Sequence, residues 1–469
     1  MPRWHSAMEP SPGFPTSLSQ SFIHWTRERE LPATILYAVV PQGPLLIFGL
    51  SVGRRRSMMK EISIHRLPGR LGNYTAVSVA IFFATSGLFL AYGDWAPSGY
   101  RTVDPPVTTA VPAVARSAQR YYVSPKGSDS NDGSHAHPWA TISRAATQVR
   151  AGAIVVVLPG TYVSPGEIKT RASGTASARI TFISETQWSA TLISTEKGNS
   201  AVWNNVGNYI DIKGFDVTGS GSLGIYNRGS HVRIIGNYIH DIPARGCSEN
   251  GGAGIDNGDP SAQDDDVIGN VVNNVGDYQN PCPRVHGIYY SNLGGHALEN
   301  IVYRNQGWGI HAWHAASRTV IAYNSVFNNG YGGILIGAGD DPGRRPNDHT
   351  VVANNIVYRN GLNPKARGNG IEEFGKTGTH NLYLNNLVYQ NGPANWNLQN
   401  GNKPSGSVDD DPRFVNYTGD STGDYHLQST SPALRKGARR GVPIIGLGTE
   451  DTSFKTNLGA YTARTAPNE

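Results

Sequence analysis

In the stretch "GWGIHAWHAAS", two histidines, His311 and His314, flank Trp313 in a short run between glycines and small residues. Imidazole exchanges protons near neutral pH, so closely spaced histidines are candidates for acid–base work. An indole turned outward offers a flat apolar surface on which a sugar ring can stack. A second histidine-bearing stretch, "VHGIYY", puts His286 and Tyr289 around a Gly-Ile pair. A third, "GIEEF", carries Glu372 and Glu373 after the same pair. A fourth, "GIDNGDPSAQDDD", holds Asp256, Asp259, Asp264, Asp265 and Asp266. Hard cations bind several oxygens, about six to eight for calcium, and five carboxylates in so short a segment are candidate calcium ligands. The spacing is not that of an EF-hand loop, and no signature of an organic cofactor accompanies it.

These residues share a frame. Gly-Ile recurs at Gly224, Gly254, Gly287, Gly309, Gly333 and Gly370, at spacings of 30, 33, 22, 24 and 37 residues. Each copy is followed by an asparagine before a short apolar run: Asn237, Asn270, Asn300, Asn324, Asn355 and Asn386. Regular strand signatures with variable loops between them describe a solenoid whose coils each bury one face against the next. The spacing predicts a parallel β-helix with one Gly-Ile strand per coil and an interior column of stacked asparagine amides.

Alternation then sorts the side chains. With each isoleucine inward, Tyr226, Asp256, Tyr289, His311, Leu335 and Glu372 form an outward column. Arg228, Trp313 and Phe374 fall in a second outward column two positions on. Coils stack about 4.8 Å apart, so Tyr289 and His311 become neighbours, with Asp256 one coil before and Glu372 two coils beyond His311. Of the two adjacent glutamates, only one can face the same way, and the register selects Glu372. The glycines beside these strands are read as letting a ligand approach the backbone.

Charge narrows the range of partners. The net charge of +5 resides in residues 1–119, with 11 Lys+Arg against 6 Asp+Glu; the remainder carries 29 of each sign. A basic footprint for nucleic acid is therefore not expected in the folded region. "AVSVAIFFATSGLFLAY", 76–92, is uncharged and follows Lys60, Arg66 and Arg70. It reads as a signal sequence or an uncleaved membrane anchor within 74–95. Residues 1–73 form a poorly defined leader, of which 1–57 are expected not to be translated if synthesis starts at Met58 or Met59. A Pro/Thr/Ala linker occupies 96–119, and the β-helix is expected over 120–462. Downstream of the apolar segment the chain is exported, extracellular or periplasmic. Cys247 and Cys282 enter consecutive coils from comparable loops, which predicts a disulfide in an exported protein.

The opening of the folded region, "YYVSPKGSDSNDGSHAHPWATISRAATQVRAGAIVVVLPGTY", resembles that of bacterial secreted right-handed β-helix repeat proteins, some of them calcium-dependent pectate lyases. The closing "DDDPRFVNYTGDSTGDYHLQSTSPALRKGA" resembles the tail of the same group. The resemblance implies an all-β, right-handed, single-stranded parallel β-helix. Within the opening, "ATISRAATQVRAG" reads as an amphipathic helix with Ile142, Ala145, Ala146 and Val149 on one side, a cap for the open end of the stack. The chain departs from those lyases in one respect: Arg228 is the sole basic residue in an outward column near Asp256.

The expected function is that of a monomeric polysaccharide lyase acting on an acidic polymer by β-elimination. His311, Tyr289, His314, His286 and Glu372 are its candidate catalytic groups. Trp313, Arg228, Tyr226 and Asp256 are candidate substrate contacts, and the Asp256–Asp266 cluster a candidate calcium site. Alternatives on the same scaffold are a uronate epimerase, a glycoside hydrolase and a non-catalytic polysaccharide-binding envelope protein. A hydrolase needs two carboxylates about 5–10 Å apart. Asp256 and Glu372 lie four coils apart, about 19 Å by strand stacking. A hydrolase would therefore pair Asp256 with Asp259 or Asp340.

Overall fold

The computed structural model describes residues 118–244, 247, 251–339, 345–437 and 457–460, and assigns backbone strands within 36–93. There, Leu36–Ala38 pairs antiparallel with Leu46–Phe48, and Ser78–Ala84 with Gly87–Gly93. The rest of the leader, the start-codon positions Met58 and Met59, the linker up to residue 117, and Asp340 lie outside the described residues. Among the described residues no helix is long and apolar enough to cross a membrane.

From Arg120 onward the chain winds into coils of three short strands. The first sheet contains five of the Gly-Ile strands, Gly252–Asn257, Val285–Tyr290, Trp308–Ala312, Gly332–Ala338 and Ile371–Gly375, followed by Trp396–Asn397, all parallel. The second sheet includes Asp266–Ile268, His296–Leu298, Val320–Ala322, Val351–Ala353 and Leu382–Leu384. The third includes Val271–Val275, Ile301–Tyr303, Ser325–Phe327, Ile356–Tyr358 and Leu387–Tyr389. The long strand Asp216–Asn227 pairs with both Tyr238–Ile242 and Gly252–Asn257, joining the first and third sheets into one hydrogen-bonded path.

The isoleucines of the Gly-Ile pairs, Ile225, Ile255, Ile288, Ile310, Ile334 and Ile371, are fully buried. Why glycine precedes them is visible from the opposite wall. A Cβ on Gly309 would stand 2.4 Å from Val326 Cγ1, and one on Gly287 2.4 Å from Val302 Cγ1. The glycines therefore face inward and admit the valine column of the third sheet. This corrects the sequence reading that gave them a role in ligand approach: the short coil leaves no interior room for a side chain there.

The predicted asparagine ladder is present between the second and third sheets. Asn270 Nδ2 donates to Asn300 Oδ1 (3.1 Å), Asn300 to Asn324 (2.9 Å), Asn324 to Asn355 (2.9 Å) and Asn355 to Asn386 (2.9 Å). A second ladder, Asn305–Asn329–Asn360–Asn391, lines the turn from the third sheet into the first, each step 2.9 Å. Every amide thereby satisfies a neighbour in the interior, where an unpaired polar group would cost about 1–3 kcal/mol.

The predicted cap is the helix Ile142–Gln148, with Thr141 Oγ1 accepting from Arg144 N and Ile142, Ala145 and Ala146 buried. Near the other end, the antiparallel pair Phe414–Asn416 and Asp424–Leu427 joins a cluster on the outside of the third sheet. Phe414, Tyr425 and Leu427 there meet Tyr303, Phe327 and Tyr358.

Candidate functional site

The first sheet's outward column is in register throughout. Tyr226 pairs with Asp256, Asp256 with Tyr289, Tyr289 with His311, His311 with Leu335, and Leu335 with Glu372. Asp256, Tyr289, His311, Leu335 and Glu372 lie along a groove of about 890 Å³. His286, Trp308, Trp313, His314, Tyr331 and Phe374 also line it.

His311 sits at the centre of an aromatic nest. Its Nδ1 is 3.1 Å from His286 Nδ1, and its ring centroid is 5.2 Å from Tyr289, edge-on. Trp313 is 5.6 Å away. Nε2 of His311 is enclosed and has no hydrogen-bond partner. Burial, with His286 and His314 alongside, holds His311 well below the usual histidine range. Burial pushes His286 down to about 3. Both imidazoles are therefore neutral at neutral pH, with lone pairs available. His286 points outward as well, since the chain steps through Gly287 before Ile288 turns in. Its ring stacks on Tyr289 at 4.9 Å and 10°. His314 lies edge-on to Tyr289 at 6.1 Å.

One end of the groove is aromatic. Trp313 stacks with Phe374 at 6.0 Å and 21°. It lies above Gly337 and Gly375, where a Cβ would come within 2.4 and 2.9 Å of the indole. Glu372 is oriented by its neighbours: Oε2 accepts from Asn369 N (3.1 Å) and Nδ2 (2.7 Å), and Oε1 from Asn397 Nδ2 (3.3 Å). Glu373 turns inward, fully buried, and accepts from Asn381, Tyr383, Asn402 and the backbone N of Gln399. The register argument separates the two glutamates correctly.

At the opposite side, Asp256 Oδ1 is enclosed without a hydrogen-bond partner. Burial raises this carboxyl to about 7. The other four aspartates do not join it. Asp259 accepts from Ser261 N and Oγ. Asp264 lies 3.8 Å from His231, Asp265 accepts from Val232 N and Asn292, and Asp266 is 2.7 Å from His296. No three of the five place ligand oxygens within 4.8 Å of one another. The residues present do not fit a single calcium cage. Tyr226 and Arg228 are likewise absent from the groove lining; Arg228 lies against the Tyr226 ring at 5.9 Å.

Two cations in the groove escape the sequence reading, which looks for basic residues in the outward strand columns only. Arg284 follows Cys282 by two residues, beside the Cys247–Cys282 disulfide, whose Cα atoms are 5.5 Å apart. Arg367 belongs to the loop leading into Ile371–Gly375. That loop is stiffened by Arg367 Nη1 donating to Pro364 O (2.9 Å) and Ala366 O (2.8 Å). The 37-residue spacing from Gly333 to Gly370, the longest between consecutive Gly-Ile pairs, was the available signal that a loop there reaches over the neighbouring surface.

Stacked parallel coils with a lined groove on one sheet define a pectate-lyase-like β-helix protein. Residues 121–406 match the family described as Pel9A-like, right-handed β-helix region, and the chain belongs to that family. Among solved structures it is similar to pectate lyase Pel9A, at 20% identity over 74% of this chain and 96% of that one, with a TM-score of 0.44. It is also similar to an alginate lyase from Paenibacillus sp. str. FPU-7, at 18% identity, 57% and 92% coverage and a TM-score of 0.41. A rhamnogalacturonan lyase follows at 17% identity, 71% and 97% coverage and a TM-score of 0.37. No curated protein matches the sequence.

Proposed function

We propose that the chain is an exported polysaccharide lyase that cleaves an acidic polysaccharide by β-elimination in the first-sheet groove. One observation carries the reading: Tyr289 and the unpaired Nε2 of His311 stand on adjacent rungs of a groove that also holds two arginines. β-Elimination breaks the C5–H bond of a uronate, forms the C4–C5 double bond and expels the C4 oxygen. Substrate displaces the aromatic side chains that enclose His311 Nε2, which takes the C5 proton, and the Tyr289 hydroxyl gives one to the departing oxygen. Arg284 and Arg367 face the uronate carboxylate and lower the cost of charge developing at C5. An anionic sugar beside His311 favours its imidazolium, so substrate raises the proton affinity of a base that the empty groove keeps neutral. His286 holds the His311 ring, His314 flanks Tyr289, Glu372 accepts sugar hydroxyls, and Trp313 with Phe374 supplies a stacking platform. The apolar segment at 76–92 provides export or membrane attachment.

A panel of polyuronides tests the proposal, with the unsaturated product followed by ultraviolet absorbance. The reading expects absorbance with at least one polymer and none from His311→Ala. Matched arms with chelator and with added calcium show whether the ion contributes in spite of the dispersed aspartates. New reducing ends without unsaturation would indicate hydrolysis. Retained binding without any product would indicate the envelope-protein alternative.

A further inference from the structure

Outside the groove lining, the turns that lead into the second sheet bring three metal-ligating side chains together. Asp348 and His349 precede the strand Val351–Ala353, and His380 precedes Leu382–Leu384 in the next coil. His380 Nδ1 is 2.9 Å from Asp348 Oδ2, and His349 Nδ1 is 3.3 Å from the same oxygen. The imidazoles stack at 4.7 Å and 19°, so both nitrogens approach from one side. All three ligand atoms lie within 4.8 Å of one another.

The carboxylate is fixed before any ion arrives. Asp348 Oδ1 accepts from His380 N (2.9 Å). The Asp348 carbonyl accepts from Ser317 Oγ (2.6 Å) and Arg318 N (3.0 Å) in the preceding coil. Gly378 makes room for it: a Cβ there would be 2.1 Å from Asp348 Cγ. His349 has φ of 58°, a left-handed conformation that is uncommon for a residue with a side chain. This is a preorganised three-ligand arrangement on two consecutive coils, with both imidazoles more than half exposed to an incoming ion.

We propose that Asp348, His349 and His380 bind a divalent transition metal of the zinc class, tying together two coils towards the C-terminal end of the stack. Imidazole and carboxylate suit zinc, nickel or copper, whereas calcium takes oxygen ligands. Bonds of about 2.0–2.1 Å in tetrahedral geometry separate ligand atoms by about 3.3 Å, close to the spacings here. Binding replaces any proton carried on either Nδ1, and solvent completes the coordination. The site is independent of the groove chemistry. Its role is to hold the coils together in a region that, unlike the opposite end, has no capping helix among the described residues.

The test titrates zinc, nickel and calcium into the chelator-treated full chain by calorimetry, in two buffers of different ionisation enthalpy. The expected result is one zinc per chain with proton release, uptake of nickel, no uptake of calcium at this site, and a higher melting temperature with zinc. His349→Ala and His380→Ala should each weaken zinc binding by about tenfold or more and abolish the melting shift. Both positions are exposed, so unchanged circular dichroism is expected of the variants. No zinc binding, unweakened zinc binding in His349→Ala and His380→Ala, or loss in His286→Ala instead would overturn the proposal.

Discussion

The first and third sheets present outward columns built to the same register, yet the protein treats them in opposite ways. On the third sheet the column is Tyr303, Phe327, Tyr358 and Tyr389, and the C-terminal pair of strands lies over it, with Tyr425 4.2 Å from Phe327. On the first sheet the column is Asp256, Tyr289, His311, Leu335 and Glu372, and it lines an open groove. Coil stacking tolerates either column, because the buried isoleucines, valines and asparagines do the stabilising. An outward column is structural where the chain covers it, and available for chemistry where it holds titratable groups and stays accessible.

The comparison predicts that equivalent substitutions fail differently on the two sheets. The largest effect is expected for Tyr289→Phe and His311→Ala, each lowering turnover by about 10²–10⁴-fold. Steady-state kinetics on the polymer found in the panel would measure it, and wild-type turnover in both variants would erase the distinction between the sheets. Phe327→Ala should instead cost about 3–5 kcal/mol in denaturant unfolding while the remaining folded protein keeps its turnover. Gly309→Ala tests the interior: pushing a methyl against Val326 should destabilise by about 1–3 kcal/mol. Replacing Arg284 and Arg367 together by alanine should weaken polymer binding and reduce its salt dependence, and change stability by no more than about 0.5 kcal/mol.

A pH experiment sharpens the same contrast. His286 and His311 have lowered proton affinities in the fold. Below the ordinary histidine value of about 6.5 the unfolded chain therefore binds more protons. Their contribution makes stability fall as pH drops from about 6.5 towards 3. Asp256, raised to about 7, acts in the opposite sense: its contribution falls as pH rises from about 4 to 7. Unfolding curves of His286→Gln and Asp256→Asn across pH 4–7 should show these two slopes removed with opposite sign. Phe327→Ala on the third sheet should lower stability without changing the slope of the profile.

Much of the site was legible because period-two alternation and the Gly-Ile repeat fix which residue lies above which. That logic placed Tyr289 beside His311, chose Glu372 over Glu373, and paired Cys247 with Cys282. It fails where loops matter. Arg284 and Arg367 reach the groove from segments whose paths follow no period, and the Asp264–Asp266 run disperses because its members enter the second sheet and its turns. The glycines were misassigned because their contacts are with valines half a coil away. The tail's cover over Phe327 depends on contacts such as Asn328 Nδ2 to Gly419 O, 91 residues apart in sequence, which no local pattern encodes.

In the proposed reaction a base on the groove sheet removes the C5 proton of a uronate. Incubating the protein with its polymer in deuterated water and following C5 by NMR tests it directly. The account predicts loss of the C5 proton together with a new C4–C5 double bond, and neither with His311→Ala. Cleavage that leaves the C5 proton in place, or deuterium entering C5 of an uncut chain, would contradict it.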